Sequence, residues 1–460
     1  YDLQASYIGY EPYIMKEVQV GSAKEVFLDI RLQESLANLD EVVIKAEDNK
    51  ENALNTMASV SAKQINMDEA RRYAGGMDDP ARLASTFAGV SGNLAGNGIV
   101  IRGNAPKGLL WRMEGIQISN PNHFANITVF GGGAFTALST QLMAYSDFYT
   151  GAFPSEYGNG LSGVFDIKMR NGNNQKREYN VQIGTLGIDL GAEGPFKKGG
   201  QSSYLFNYRY STFALIAPLL PENAGGIRYQ DLSFKMNFPT KKAGTFSFWG
   251  IGARDFSGQK VEEDISKWEY QKDAEKVDSK QDMGATGVSH KLVMGRNSVL
   301  YSTLAASGNG ISWDLQQQDS LNNLYQGEYV RNDTWKFTLS SYLNHKFSAR
   351  HTNRSGIIMN QVFYDVLIQN AEKAGDAMTT YANSNGNSSL IQAYSQSKIN
   401  INDRLTLNLG LHSQYFTLND HYTIEPRAAL SWKFRPNQSL SFGYGNHSQL
   451  EMIGIYLAEQ

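Results

Sequence analysis

Apolar and polar residues alternate one for one along segment after segment of the last 280 or so residues. Tyr204, Phe206, Tyr208 and Tyr210 share one face of an extended run, opposite Ser203, Asn207, Arg209 and Ser211. Leu232, Phe234, Met236 and Phe238 repeat this opposite Asp231, Ser233, Lys235 and Asn237. So do Trp335, Phe337 and Leu339, and the run Leu405 to Leu411. Side chains of a strand alternate with period two, so each segment has one greasy and one wet face. A soluble sandwich has the same period but rarely puts Lys, Arg, Asp and Asn on the second face of so many strands. A transmembrane β-barrel requires that arrangement, with lipid outside and water inside.

The alternation predicts about 13 strands after residue 177: 178–185, 187–195, 202–212, 228–238, 245–256, 283–294, 298–309, 334–346, 354–368, 389–401, 404–417, 425–435 and 438–447. Connections after even-numbered strands are short. Several after odd-numbered ones are long, such as 257–282, 310–333 and 369–388. Short turns on one side and long loops on the other is the asymmetry of an outer-membrane barrel. The parity puts whatever precedes the barrel on the short-turn, periplasmic side. Single-chain bacterial barrels have even strand counts and no open edge in lipid, so the natural protein is expected to continue beyond residue 460.

Composition agrees. The 460 residues include 25 Tyr, 22 Phe and 44 Gly, suited to aromatic girdles and tight turns. The longest greasy run, Phe213 to Leu220, is too short for a spanning helix. With 42 basic and 45 acidic residues the net charge is -3, which gives no footprint for nucleic acid. Cys is absent, excluding disulfides and thiolate metal sites. The chain opens on Tyr1 without a Met or a secretory leader, so either a leader has been removed or this is a fragment; a fragment is favoured.

The first 177 residues read differently. Two strand-like runs, 2–10 and 25–32, mark residues 1–36 as the end of a small β domain. Residues 37–55 hold a β-branched run, Asp40-Glu41-Val42-Val43-Ile44-Lys45-Ala46, and a polar linker. Such a run either pairs with another protein's sheet edge or forms an ordinary buried strand. Residues 56–170 predict a compact α+β domain. Ser61-Ala62-Lys63-Gln64 fits a capping box opening a helix, Asp79-Pro80 an N-cap and first turn of a helix ending near Phe87, and Ala134 to Met143 a third helix. Strand-like pieces fall at 99–102, 109–113, 146–149 and 163–169.

The most specific motifs lie in that domain: Ile99-Val100-Ile101-Arg102-Gly103, then Trp111-Arg112-Met113-Glu114-Gly115-Ile116-Gln117-Ile118, then 148–164 from Phe148-Tyr149-Thr150-Gly151 through Pro154-Ser155-Glu156-Tyr157-Gly158 to Val164. Their order, followed at once by barrel strands, resembles the plug domain of TonB-dependent receptors, and the resemblance covers nearly the whole chain. It implies a mainly β protein: a large antiparallel transmembrane barrel of about 22 strands, roughly the first half present here as 171–460, with the α+β plug 56–170 inside it. Residues 1–36 resemble the tail of the carboxypeptidase-regulatory-like domain of Bacteroidetes receptors.

The resemblance also implies roles. Asp40 to Ala46 becomes a TonB box, the strand that a periplasmic TonB-type energy transducer engages. Arg102 and Arg112 match plug arginines that pair with barrel-wall carboxylates, and with Glu114 and Glu156 they form the expected plug–barrel lock. Trp111, Asn120, Asn122, His123 and Phe124 are candidates for a ligand-facing plug apex. The expected function is TonB-dependent transport of a large or scarce nutrient (siderophore, glycan, peptide or similar) across a Gram-negative, Bacteroidetes-type outer membrane, with outer-membrane lipid and a surface lipoprotein as further partners. Glu114-Gly115 stands where the family usually has Asp-Gly, and Ile167-Lys168-Met169-Arg170 where it usually has Ile-x-Thr-Lys, which suggests a divergent subfamily.

No enzyme chemistry is indicated. The seven His show no metal spacing and are expected in turns and the lumen, and no nucleophile elbow or phosphate loop occurs, so no cofactor or metal is expected. Two other classes fit parts of the pattern. A passive porin would lack a folded plug, and a secreted β-rich adhesin or carbohydrate-binding protein would turn its aromatic faces inward.

Overall fold

The computed structural model describes residues 3–7, 13–15, 30, 53–65, 70, 79–93, 96–127, 129–184, 187–212, 226–262, 264–319, 321–373, 375–435 and 438–457. The run Asp40 to Ala46 and most of the stretch 25–32 lie outside them. At the start, β1 (Leu3–Ala5) and β2 (Tyr13–Met15) pair as an antiparallel ladder.

The plug follows. Its strands are β3 (Ala62–Ile65), β4 (Val90–Asn93), β5 (Gly96–Ile101), β6 (Leu109–Met113), β7 (Ile116–Gln117), β8 (Ser146–Tyr149) and β9 (Gly163–Ile167). Five of them form a mixed sheet in the order β3-β8-β9-β6-β7, and β4 and β5 pair separately. Helix α1 (Pro80–Ala84) starts as the sequence predicts, with the Asp79 side chain accepting from the Ala81 N–H. The other two helices do not form. Residues 62–65 are strand, because Ala62 to Ile65 pair with β8. Residues 134–143 are turns and isolated bridges, their N–H groups taken by partners elsewhere in the plug, such as His123 O for Ala134 and Pro121 O for Ala137. Tertiary pairing outweighs the weak local helix signal in both places.

The remaining strands build one antiparallel sheet in simple sequence order. They are β10 (Glu178–Ile183), β11 (Ile188–Pro195), β12 (Ser203–Tyr210), β13 (Arg228–Pro239), β14 (Thr245–Gln259), β15 (Glu275–Met294), β16 (Ser298–Gln318), β17 (Leu324–Ser348), β18 (His351–Asn370), β19 (Thr379–Asn402), β20 (Leu405–Phe416), β21 (His421–Arg435) and β22 (Gln438–Gly445), followed by α2 (Ile453–Leu457). All 13 predicted strands occur. Strands extend into three of the predicted long loops: β15, β16, β17 and β19 run into 257–282, 310–333 and 369–388. The β16 extension keeps the alternation at Ile311, Trp313 and Leu315, whereas 383–388 on β19 is without apolar side chains.

The sheet is inside out. Asp231 and Lys235 are 2% and 7% exposed, whereas Phe238 on the alternate face is 37% exposed. On β17, Thr338 is fully buried while Phe337 is 50% exposed. Apolar rings cover the outside, where Trp335 and Phe363 stack at 4.3 Å across neighbouring strands. An adhesin's inward-packed aromatics are excluded, and the outer face is that of a lipid-facing wall. Among the described residues no helix is long and apolar enough to cross a membrane.

The plug lies against the inner face. Its core residues Ile101, Trp111, Met113 and Phe165 share one apolar cluster with Leu205, Trp249, Ile251, Ala285 and Ala305 of the wall. From β11 to β21 there are ten inter-strand steps, about 48 Å if laid flat. Polar contacts reach the plug from both extremes, Glu193 and Arg427. A domain of this size has a radius of gyration of only about 13 Å, so the sheet must curl around it. A porin without a folded plug is therefore excluded.

Candidate functional site at the plug–barrel boundary

Strand polarity sets the heights. Even-numbered strands β14, β16, β18 and β20 begin at short turns or end at them in alternation with their neighbours, so residues near 239, 294, 351 and 402 mark the short-turn end. Three groups of polar contacts fasten plug to barrel.

The first centres on Glu156, close to the short-turn end. It sits in the turn after β8, where Tyr157 N–H donates to Pro154 O at 3.1 Å. Its carboxylate lies 3.4 Å from Arg112 Nη1 on β6 and forms a second ion pair with Arg354 Nη1 on β18. Asn55 Nδ2 donates to Glu156 Oε1 at 2.5 Å, and Asn55 Oδ1 accepts from Arg354 Nη1 at 2.9 Å. The backbone N–H groups of Leu54 and Asn55 donate to the two oxygens of Asp147 on β8, at 2.8 and 2.9 Å. Burial pushes the Asp147 carboxyl up to about 6; those two N–H donors work against the rise and the neighbouring Asp166 carboxylate adds to it. Burial resists the charge on Arg112, but Asp166 and Glu156 outweigh it and hold its pKa above the ordinary value. The same turn is gripped from the wall: Arg427 donates to Pro154 O and Tyr157 O at 2.6 and 2.7 Å, and Gln396 accepts from Ser155 N–H at 2.7 Å.

The second group also lies near the short-turn end, with Glu193 two residues from the end of β11 at Pro195 and Lys235 four from the end of β13 at Pro239. Glu114 and Gly115 form the two-residue turn between β6 and β7, with φ of 47° and 92°, as a type I′ hairpin requires. That turn aims Glu114 at Lys235 Nζ on β13, 3.2 Å away, and Lys235 also donates to Met169 O at 2.7 Å. Arg170 grips Glu193 on β11 with two parallel bonds of 2.6 and 2.7 Å, the bidentate geometry that makes such pairs strong.

The third group lies toward the long-loop end. His123 places Nδ1 2.5 Å from Asp255 Oδ1 on β14 and Nε2 2.9 Å from Asp231 Oδ2 on β13. Arg209 Nε of β12 donates to the same Asp231 oxygen at 2.7 Å, and Phe124 N–H to Asp255 Oδ2 at 2.7 Å.

The residues expected in a plug–barrel lock make contacts of a different pattern from the one expected. Arg112, Glu114 and Glu156 each form an ion pair, but Arg112 pairs with Glu156 of its own domain and the barrel supplies the arginine, Arg354. Arg102 reaches no carboxylate among the described residues. It is exposed, has φ of 51°, and donates to Ser61 Oγ at 3.2 Å.

The expected apex also differs. Trp111 is 4% exposed and stacks on Phe165 at 5.1 Å, inside the sheet's own core. Asn122 and His123 are buried, Asn122 bonded to Asn97 at 3.0 Å. Asn120 and Phe124 are half-buried, Asn120 donating to Gly132 O at 2.7 Å. These side chains face core or barrel wall, because the segment 119–124 is drawn outward by Asp231 and Asp255. Lys107, Val129 and Phe130 are among the exposed plug residues.

Sequence reasoning missed Asn55, Arg354, Asp231, Asp255, Lys235 and Arg427 as plug contacts. The inward-facing charges of the barrel strands were visible, but their partners were not. Among the described residues no group of three or more His, Asp or Glu side chains could hold a metal.

Comparison with known proteins agrees with this geometry. Residues 221–449 match the family described as TonB dependent receptor-like, beta-barrel. Among solved structures, the outer membrane transporter YddB from Escherichia coli superposes with a TM-score of 0.57 at 13% identity, over 86% of this chain and 62% of that one. The siderophore receptor PirA from Acinetobacter baumannii gives 0.59 at 14%, over 85% and 62%. The pyoverdine outer membrane receptor FpvA from Pseudomonas aeruginosa PAO1 gives 0.61 at 12%, over 86% and 63%. The chain spans less than two thirds of the length of these receptors. No curated protein matches the sequence. Residues 221–449 thus match a TonB-dependent receptor-like β-barrel, and with the plug seated against its inner wall the chain has the fold of TonB-dependent outer-membrane receptors.

Proposed function

We propose that this chain is part of an active transporter of the Gram-negative outer membrane, driven by a TonB-type transducer and not an enzyme. The observation that carries the reading is the plug bonded to inward-facing charges of strands from β11 to β21. A folded domain so placed obstructs the lumen, so passage requires it to move or rearrange. Beside the shared apolar cluster its attachments include many ion pairs and hydrogen bonds, and such contacts can be remade in a second arrangement. Asp40 to Ala46 serves as the TonB box. It lies just before Leu54 and Asn55, whose bonds to Asp147 and Glu156 tie the linker to the lock.

In this reading Arg112, Glu114 and Glu156 with Arg354 and Lys235 hold the closed state. The cargo is a large or scarce nutrient such as a siderophore, glycan or peptide; of the solved structures, PirA is named a siderophore receptor and FpvA a pyoverdine receptor. The proposed domain limits are 1–36 for the end of a carboxypeptidase-regulatory-like domain of Bacteroidetes type, 37–55 for box and linker, 56–170 for plug and 171–460 for barrel. A surface lipoprotein and outer-membrane lipid complete the proposed partners.

These 460 residues contain no Cys, so a thiol introduced among them is unique within them. Single cysteines at Val42 or Ile44 of the full-length protein should cross-link to a cysteine scan of the transducer's C-terminal domain in a position-dependent way. Cross-linking no stronger at 40–46 than elsewhere in 37–52 would contradict the box assignment.

A further inference from the structure

His123 contributes nothing to the lock expected from sequence, yet it is fully buried and both ring nitrogens face barrel carboxylates. A neutral imidazole carries one N–H and one lone pair. It could satisfy only one of Asp231 and Asp255 and would turn its lone pair on the other. Both carboxylates are otherwise committed as acceptors, Asp231 to Arg209 and Asp255 to the Phe124 N–H. The groups facing the ring are Asp255 from β14, Asp231 and Tyr229 from β13, and Arg209 from β12. Asp79 lies beyond Arg209 and is occupied by Ala81, Asn97 and Thr136. Around His123 itself, two carboxylates meet one guanidinium, and a protonated imidazole balances the charge.

We infer that His123 is a proton-dependent latch: as an imidazolium it ties the plug segment 119–124 to β13 and β14, and on losing its proton it lets go of one of the two strands. Burial alone would lower the imidazole pKa, but the hydrogen bonds and charges of Asp231 and Asp255 reverse this and hold it above 6.5. The latch is thus complete below pH 6.5 and is lost as pH rises through the higher folded value. The inference concerns the contact itself and stands whatever the cargo.

The test is hydrogen exchange of residues 119–126 in the full-length, detergent-extracted protein, corrected for intrinsic rates, across a pH series upward from 6.5. Protection should fall by about tenfold, as expected for loss of one hydrogen bond to a charged group. His123→Gln, which cannot be protonated, should show lower protection at the acid end and no such fall. Asp255→Asn should move the midpoint down by about one to three pH units. Parallel profiles for wild type and His123→Gln would overturn the latch. Should that variant not fold, an unmoved midpoint in Asp255→Asn would do so.

Discussion

Glu156 of the plug and Arg354 of barrel strand β18 form an ion pair with side chains only 5% and 10% exposed, although 198 residues separate them in sequence. Arg112 and Asn55 complete the carboxylate's shell, so this charged contact between the two parts is largely closed to water. Its charges are sustained because each has a partner.

Replacing Glu156 by Gln should leave Arg354 and Arg112 buried without a carboxylate between them. Loosening of the plug by about 3–5 kcal/mol follows. Protease accessibility of the plug against urea concentration, with the barrel intact in detergent, measures it. An unchanged profile would mean that water already fills this site.

The pair Lys235–Glu114 is partly buried and crosses the boundary at 3.2 Å. Lys235→Glu or Glu114→Lys alone should weaken plug retention in the same assay. The double exchange should recover part of the loss, although the Lys235 bond to Met169 O is not restored. A strictly additive double variant would show that the two charges do not interact.

Much of this architecture was legible in advance, and the limits have physical causes. Barrel strands were legible because lipid outside and water inside impose opposite chemistry on alternate residues, as in Leu232 to Phe238. Their extensions were less so: Gly308 and Gly310 interrupt the run before Ile311, Trp313 and Leu315, and 379–388 holds only Tyr381 and Ala382 as apolar residues. Helix α1 was legible from Asp79-Pro80, a purely local cap. Residues 134–143 were not, since their N–H groups are satisfied by residues distant in sequence, and no local pattern records that. The site followed the same rule: Arg112, Glu114 and Glu156 sit in motifs, whereas Arg354, Asp231 and Lys235 look like any inward-facing barrel residue until the plug is in place.

Asp147 gives a pH signature of its own. Its folded pKa is raised from 3.8 to about 6, so the folded plug binds more protons than the unfolded chain between those values. Its contribution to stability is therefore full below pH 3.8 and is lost as pH rises through about 6. The amount is about 3 kcal/mol as an upper bound. Asp147→Asn should remove that slope from the urea resistance of the plug between pH 4 and 7. A difference curve flat across this range would contradict it.

Gly131 adopts φ of 84°, and a Cβ there would stand 2.2 Å from the Lys107 backbone nitrogen. Gly131→Ala combines left-handed strain with a backbone clash, which should cost about 2 kcal/mol or more. The exposed plug face formed by Lys107, Val129 and Phe130 should then exchange hydrogen faster while the Glu156 cluster is unaffected.

A plug inside this barrel brings one pair of positions, on plug and wall, within bonding reach. A Cβ on Gly410 of β20 would lie 3.2 Å from Ser155 Cβ in the plug, close to the separation of about 3.5–4.5 Å that a disulfide spans. Ser155→Cys with Gly410→Cys, introduced into the full-length protein with its otherwise cysteine-free described sequence, should form an intramolecular disulfide in nearly every molecule in outer-membrane preparations. Two free thiols that a membrane-impermeant maleimide labels without prior reduction would place Ser155 away from the barrel wall and contradict the account.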